Sequence, residues 1–234
     1  MKKHKKLIII LVIVAVAAVL FVIFGVPYIQ RHFIETKVDE QAATAMDKVD
    51  LGTDRILTVY FTRNGNCDFK EGVDAVSSAS LMRDGDKLIG NCELAAEMVQ
   101  NAVGGDIYAI RTVKKYPSSY SGTVNEASDE LKNDELPELS GDLPDMTKYD
   151  TVIILYPLWW GTVPKAVESF VKSADISDKT VYAIVSHGGS GKADSIADLE
   201  KASGATVSGE VFELYDKDAA TSKDDIQKWL EGLK

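Results

Sequence analysis

The chain has 234 residues, 45% of them hydrophobic, and its 26 lysines and arginines against 36 aspartates and glutamates give a formal net charge of −10. This length accommodates one domain of ordinary size plus an additional segment. Residues 51–234 carry 19 basic and 31 acidic side chains, and a domain this acidic repels phosphate backbones, so nucleic acid is excluded as the expected partner. Cys67 and Cys92 are too few for a disulfide framework or a cysteine-rich metal site, and their spacing leaves open whether they pair.

The amino-terminal segment predicts a membrane anchor. Residues 7–29 contain no charge, and as a helix they would extend about 34 Å, enough to cross a hydrocarbon core of about 30 Å. The lysines within residues 1–6 predict a basic cytoplasmic tail. We therefore expect a single-pass protein of the cell membrane, with a stalk at 30–54 and an extracytoplasmic domain at 55–234. A cleaved signal peptide is the alternative, because the basic start also fits one.

Strand and helix patterns alternate through the domain. Apolar, β-branched runs predict strands, and apolar residues at helical spacing predict the helices between them. Residues 68–90 show little sign of a strand and look inserted. The expected order is strand 56–61, helix 93–103, strand 106–111, helix 124–132, strand 152–156, helix 163–174, strand 180–185, helix 193–202, strand 206–214 and helix 222–233. This alternation predicts an α/β fold with a doubly wound parallel sheet.

The strand at 152–156 is unbroken in its apolar character, which is typical of a strand in the middle of a parallel sheet. Pro157 then ends the strand pairing, so the chain leaves at the carboxyl edge of the sheet, where open α/β sheets bind ligands. Trp159 and Trp160 follow at once, next to Gly161. Two indoles beside a glycine suit a planar aromatic ligand. Alternatively, they cap the core beneath the next helix.

Two further loops lie at the same predicted edge. Residues 62–64 follow the first strand and provide hydroxyl, guanidinium and amide groups, which suit a phosphate near a helix amino end. The triplet Gly-Asn-Cys occurs at 65–67 and again at 90–92, and the second copy is the better candidate because it directly precedes helix 93–103. Glu93 would repel a phosphate there. The glycines of 186–191 fit neither a P-loop nor a nucleophile elbow, and they suit backbone lying against a flat ligand.

Taken in order, these segments resemble the flavodoxin-like superfamily, specifically the flavodoxins with a Trp-Trp loop. The matching segments are 56–66, 90–98, 104–110, 156–170 and 185–200. The resemblance implies a five-stranded parallel sheet of order 2-1-3-4-5 and a non-covalently bound FMN. It also implies that the flavin passes electrons to a redox partner protein or a quinone.

The resemblance also implies which residues hold the cofactor, with no catalytic acid or base. No metal site is expected, because the two cysteines and the scattered histidines, His4, His32 and His187, do not suggest one. The FMN phosphate would be held by Thr62, Arg63, Asn64, Asn91 and Cys92. The isoalloxazine ring would be edged by Pro157, Leu158, Trp159, Trp160, Gly161, His187, Gly188, Gly189, Ser190 and Gly191. Cys92 replaces the usual Thr or Ser hydroxyl, which is expected to weaken phosphate binding. The alternatives are an FMN-dependent NAD(P)H or quinone reductase, and a binding module that has lost FMN.

Overall fold

The computed structural model describes residues 2–22, 38–69, 80–84 and 87–233. The chain divides into two compact units, Met1–Glu35 and Thr36–Lys234. In the first unit, helix α1 spans Lys2–Leu20. Within the described ranges, no helix combines the length and the apolar character needed to cross a membrane. The predicted anchor at 7–29 continues past these ranges, because residues 23–37 lie outside them.

The second unit is built on a five-stranded parallel sheet, which confirms the predicted α/β class. The described strands are β1 Ile56–Tyr60, β2 Leu81–Asp84, β3 Lys87–Gly90, β4 Asp106–Ala109, β5 Thr151–Pro157, β6 Thr180–His187 and β7 Phe212–Tyr215. The strand order of the five-stranded sheet is β4-β1-β5-β6-β7, and when the two hairpin strands β2 and β3 are left out of the count this order reads 2-1-3-4-5. Every residue of β1 and β5 is buried, as expected for strands covered on both faces.

Helices cover both faces of this sheet, so the predicted doubly wound arrangement is correct. The helices of this unit are α2 Glu40–Ala43, α3 Asn91–Val103, α4 Tyr120–Asn133, α5 Lys165–Ala174, α6 Ser195–Ser203 and α7 Lys223–Gly232, with 3-10 turns at Met146–Lys148 and Asp216–Asp218. One core cluster joins α3 and α7 to one face, and the other joins α4, α5 and α6 to the opposite face. A helix therefore lies between every two strands that follow one another along the chain in the five-stranded sheet.

The expectation of little strand structure in the inserted segment was wrong. Strand β2 pairs antiparallel with β3, and Leu81, Met82 and Ile89 are buried. Met82 and Ile89 belong to the core cluster that contains α3. The charged residues of the hairpin masked this signal, because strand preference depends on the surface against which a strand packs.

Strand β7 begins at Phe212 rather than near Thr206. Val207 makes only an isolated bridge to Val181 before Gly209, whose φ of 69° is unsuited to a regular strand, interrupts the chain. The apolar residues near 206 therefore touch the sheet without extending it.

The described part of the predicted stalk packs against the domain. The backbone N–H of Val49 donates to Ala102 O at 3.0 Å, and Lys48 Nζ donates to Asn101 O at 2.7 Å. Val49 and Ala43 are buried with the residues of α3 and α7. The packing of the domain therefore begins before Arg55.

Candidate functional site

Three loops from the carboxyl ends of β1, β5 and β6 lie along one edge of the sheet. The N–H of Leu158 donates to Ser186 O at 2.7 Å, and the N–H of Asp194 donates to Gly161 O at 3.2 Å. The loop after β1 joins them through Phe61, whose ring packs edge-on against Trp159 with centroids 5.3 Å apart. The turns at 62–64, 157–161 and 187–191 therefore belong to one continuous rim, because the parallel sheet brings these strand ends together.

One end of this rim, which we call the phosphate end, consists of residues 62–64 and 90–92. Thr62 Oγ1 and the backbone N–H of Asn91 both donate to Ser80 O, each at 2.9 Å. Thr62 and Asn91 are fully buried. Two donors from separate segments thus converge on a single oxygen atom, which is the geometry that an anion oxygen also needs.

The triplet at 90–92, rather than its copy at 65–67, forms the amino end of α3. The helix starts at Asn91, with Gly90 as its N-cap. A Cβ on Gly90 would lie 2.8 Å from Thr62 Cγ2 and Oγ1, so only glycine allows the two segments to approach this closely. The spacing argument that favoured 90–92 therefore agrees with the fold.

Glu93 occupies part of the phosphate end. Its carboxylate accepts hydrogen bonds from Asn64 Nδ2 at 2.7 Å and from the N–H of Gly90 at 3.3 Å. Burial, followed by the nearby Glu93 charge, raises the pKa of Tyr60, whose hydroxyl donates to the same carboxylate at 3.4 Å. A carboxylate in the first turn is stabilised by the helix dipole. The amide of Asn64 is therefore already committed to a protein partner.

Arg63 and Cys92 are both fully buried. Arg63 Nη2 donates to Ser118 O at 2.9 Å, and it ties the loop after β1 to the segment before α4. Cys92 is a free thiol, as is Cys67. Burial raises the pKa of the Cys92 thiol despite a hydrogen bond to the backbone of Ser186, so this side chain is neutral and only a weak donor.

The other end of the rim, which we call the ring end, consists of residues 157–161 and 187–191. Its two tryptophans have different environments. Trp159 is 6% exposed and packs edge-on against Phe61 and Tyr116, so for this residue the alternative of a core cap is correct. Trp160 is 59% exposed, and its Nε1 donates to Val124 O at 3.0 Å. Most of the accessible aromatic surface of this loop therefore belongs to Trp160.

The glycine-rich turn at the ring end presents its backbone to solvent. Gly188, Gly189 and Ser190 are exposed. His187 Nδ1 accepts from the N–H of Gly189 at 3.0 Å, which shapes the turn. A Cβ on Gly191, whose φ is 63°, would lie 2.6 Å from Glu213 Oε2, so the turn also needs this glycine. His187 therefore has a structural partner within its own loop.

An apolar cavity of about 240 Å³ lies between α4 and the Trp-Trp loop, and we call it the α4 pocket. It is lined by Tyr120, Thr123, Val124, Ala127, Leu158, Trp159 and Trp160. All four residues from α4 were missed, and two of them, Tyr120 and Thr123, lie before residue 124, where the helix was predicted to begin. Ser119 was the available signal, since its hydroxyl caps α4 by accepting from the N–H of Gly122.

A buried carboxyl group, also missed, supports Tyr116 beneath the ring end. Tyr116 Oη donates to Glu130 Oε2 at 3.2 Å, and Glu130 is only 7% exposed. Burial raises the pKa of Glu130 to about 7. Because Tyr116 in turn packs against Trp159, this carboxyl group supports the Trp-Trp loop indirectly.

The family profile described as Flavodoxin matches residues 87–233, which is more than half of the chain. The chain belongs to the flavodoxin family. The matched region of this flavodoxin domain starts at the second strand of the hairpin and includes the ring end and α3. A comparison with curated proteins gives no match.

Solved structures share the fold of this flavodoxin domain. A candidate flavoprotein of Bacteroides eggerthii is 24% identical with a TM-score of 0.57, covering 76% of this chain and 97% of that chain. A candidate flavoprotein of Bacteroides uniformis is 23% identical with a TM-score of 0.56 and the same coverage. A flavoprotein of Lactobacillus acidophilus, solved in complex with FMN, is 15% identical with a TM-score of 0.52, covering 76% of this chain and 99% of that chain. At these identities, the likeness establishes a common fold.

Proposed function

We propose that this protein binds FMN non-covalently and acts as an electron carrier. The observation that carries the proposal is the continuous rim, in which Leu158 bonds to Ser186 and Asp194 bonds to Gly161. It unites an exposed indole, an exposed glycine backbone and a helix amino end. These are the groups needed for a flat ring at one end and a phosphate at the other. The FMN complex of the Lactobacillus acidophilus flavoprotein, which shares the fold, supports the same cofactor.

The ring end fits an isoalloxazine. Gly188, Gly189 and Ser190 are exposed beside Gly161, so a flat ligand can approach their backbone closely. Trp160 supplies the accessible aromatic surface, and Trp159 supports the loop from within the core. Pro157, Leu158, His187 and Gly191 complete the expected edge of the ring site.

The phosphate end suits a phosphate group because two of its hydrogen-bond donors converge on one position. Thr62 Oγ1 and the Asn91 N–H already bind one oxygen, Ser80 O, and a phosphate oxygen can accept from the same two groups when Ser80 moves aside. Arg63, Asn64 and Cys92 would act from the surroundings, since Arg63 binds carbonyl oxygens and Asn64 binds Glu93. Phosphate binding at this end would therefore require the two donors to exchange Ser80 O for a phosphate oxygen, because they do not form an open anion-binding site.

When bound, FMN would supply one- and two-electron redox chemistry, while the protein supplies binding and electrostatics. The acidic surroundings, with 31 acidic against 19 basic side chains in residues 51–234, disfavour the addition of negative charge to the ring. We expect the electron partner to be a redox protein or a quinone.

Absorbance of the full-length chain after incubation with FMN and removal of free ligand tests the proposal. We expect the visible flavin bands to remain with the protein. A correctly folded protein that stays colourless would overturn the proposal and would favour a binding module without FMN. Bleaching of the bound flavin by NADH or NADPH in a stopped-flow experiment would identify a reductase, whereas a carrier would be bleached only by a separate donor.

We further propose that the amino-terminal segment anchors the domain to the cell membrane, with residues 7–29 as the span. The absence of charge over this length and the lysines before it support the proposal. The test is fractionation of expressing cells followed by an alkaline carbonate wash. We expect the full-length chain to stay in the membrane pellet, and release into the supernatant would contradict the anchor.

A further inference from the structure

The lining of the α4 pocket is unfavourable for a charged ligand. None of the described residues that line it is charged. Thr123 Oγ1 already donates to Pro117 O at 2.9 Å, and Trp160 Nε1 already donates to Val124 O at 3.0 Å. Burying a charged ligand without a partner would be costly in such surroundings. The pocket therefore suits an uncharged molecule.

Two exposed aromatic side chains line the α4 pocket. Tyr120 is 38% exposed and Trp160 is 59% exposed, and they approach the pocket from different segments of the chain. Their flat faces favour a planar ring, which gains stacking and edge contacts that an aliphatic chain would not. The hydroxyl of Tyr120 can donate to a carbonyl group on the edge of such a ring.

The backbone of Trp160 is held in a conformation that costs energy. Its φ is 53°, in the left-handed region that a bulky residue rarely adopts. This conformation keeps a large apolar side chain at the surface, with its indole N–H donating to Val124 O in α4. Strain of this kind is concentrated at ligand-binding and catalytic sites. The conformation is thus a second observation, independent of the lining, that points to a ligand.

The volume limits the size of that ligand. The pocket measures about 240 Å³, whereas sites for drug-sized molecules begin at about 300 Å³. One ring, or two fused rings, is the largest planar system that this space suits.

We propose that the α4 pocket binds an uncharged planar aromatic molecule of one or two fused rings in addition to the proposed FMN, at a site that shares Leu158, Trp159 and Trp160 with the ring end. Four of its seven lining residues come from α4 and have no part in the proposed FMN contacts. The inference stands on the pocket alone, and it holds whether or not FMN binds.

The test uses the full-length chain and 2,3-dimethyl-1,4-naphthoquinone, whose substituted ring carbons prevent addition to thiols. Because two of the three tryptophans line the pocket, we expect the probe to quench the indole fluorescence saturably. Ala127→Leu fills the pocket from α4 and should weaken binding at least tenfold. Asn125→Leu adds the same side chain at an exposed position of the same helix and should leave binding unchanged.

A second variant covers the case in which Ala127→Leu fails to fold. Tyr120→Ala removes one exposed wall and should weaken binding severalfold, whereas Tyr120→Phe keeps the ring and should retain most of it. Absence of saturable quenching, or equal binding by Ala127→Leu and Asn125→Leu when both are folded, would overturn the proposal. So would equal binding by Tyr120→Ala and the unaltered chain.

FMN uptake by the same variants separates this inference from the proposed function. We expect Ala127→Leu to bind FMN as the unaltered chain does. If Ala127→Leu is folded but loses FMN, the α4 pocket is the flavin pocket and the separate site is refuted. If the unaltered chain binds the naphthoquinone but no FMN, the proposed FMN function fails while the α4 pocket inference stands.

Discussion

The phosphate end and the ring end of the rim differ in whether their ligand-binding groups already contact protein partners or face solvent. At the phosphate end, the donors of Thr62 and Asn91 are buried and share Ser80 O as their acceptor. At the ring end, Trp160 and the backbone of Gly188 and Gly189 face solvent. FMN binding as proposed would therefore exchange hydrogen bonds at one end and cover exposed surface at the other. The change from buried to exposed occurs between two adjacent residues, since Trp159 is buried and Trp160 is exposed.

The largest effect should come from Trp159→Ala, which removes a buried indole beside Phe61 and Tyr116. We expect the free energy of unfolding to fall by about 3–5 kcal/mol, as for other large-to-small core changes. Urea unfolding of Trp160→Ala is the matched comparison, and we expect a loss of less than about 1 kcal/mol for an exposed side chain. Equal losses for the two variants would show that the indoles are not divided between core and surface.

Gly90→Ala tests the close contact at the phosphate end. The new Cβ would lie 2.8 Å from Thr62 Cγ2 and 3.0 Å from Glu93 Cβ, so overpacking should cost about 1–3 kcal/mol of unfolding free energy. Gly232→Ala is the control, because a Cβ there meets nothing within 4 Å. That change should be neutral or slightly stabilising at the end of α7. An unaltered stability for Gly90→Ala would mean that the two segments are farther apart than described.

The polar support beneath the ring end should make stability depend on pH. Since burial raises the pKa of Glu130 to about 7 from an ordinary 4.5, the folded protein binds this proton more tightly than the unfolded chain does. The stabilisation of the folded state by this bound proton is fully present below pH 4.5 and is lost as the pH rises through 7. Glu130→Gln should therefore be more stable than the unaltered chain at pH 8, by about 1–2 kcal/mol after allowance for solvent screening, with a smaller gain at pH 5.

Urea unfolding at the two pH values measures this difference. Glu210→Gln, at an exposed position in a different part of the domain, is the control and should show no such dependence. If the stability difference between Glu130→Gln and the unaltered chain is the same at pH 5 and pH 8, then Glu130 does not titrate in this range.

The smallest effect on stability should come from Thr62→Val, which keeps the side-chain shape and removes the hydroxyl that donates to Ser80 O. We expect a loss of about 1 kcal/mol in unfolding free energy and about tenfold weaker FMN binding, because a charged acceptor loses a donor. Thr58→Val is the matched control, since Thr58 Oγ1 is buried without a hydrogen-bond partner among the described residues. That variant should be neutral or more stable, with unchanged FMN affinity by titration.

Much of the fold was predictable because its signals are local. The apolar runs at β1 and β5 are buried on both faces, so nearly every residue in them is hydrophobic and the pattern is unambiguous. The hairpin β2 and β3 was missed for the opposite reason. Its strands are short and partly charged, and their burial depends on contact with α3. The buried part of the predicted stalk was missed in the same way.

The candidate site was predictable as a set of loops but not as a set of contacts. Composition identified the turns after β1, β5 and β6, and parallel pairing brings such turns to one edge. Which atoms are free depends on distant partners. Asn64 is occupied by Glu93, and Arg63 by the carbonyl of Ser118. The α4 pocket escaped prediction because four of its seven lining residues come from a helix whose first turn has no apolar repeat.

The amino-acid sequence by itself determined the alternation of strands and helices, the parallel sheet and the edge at which a ligand is expected, since these depend on periodicity and on residues such as Pro157 and Gly90. Only the tertiary structure decided that Trp159 is core and Trp160 is surface, that Ser80 O shares the donors of the phosphate end, and that Glu130 is buried. Burial and hydrogen-bond partners are properties of residues brought together from distant parts of the chain, and no local pattern encodes them.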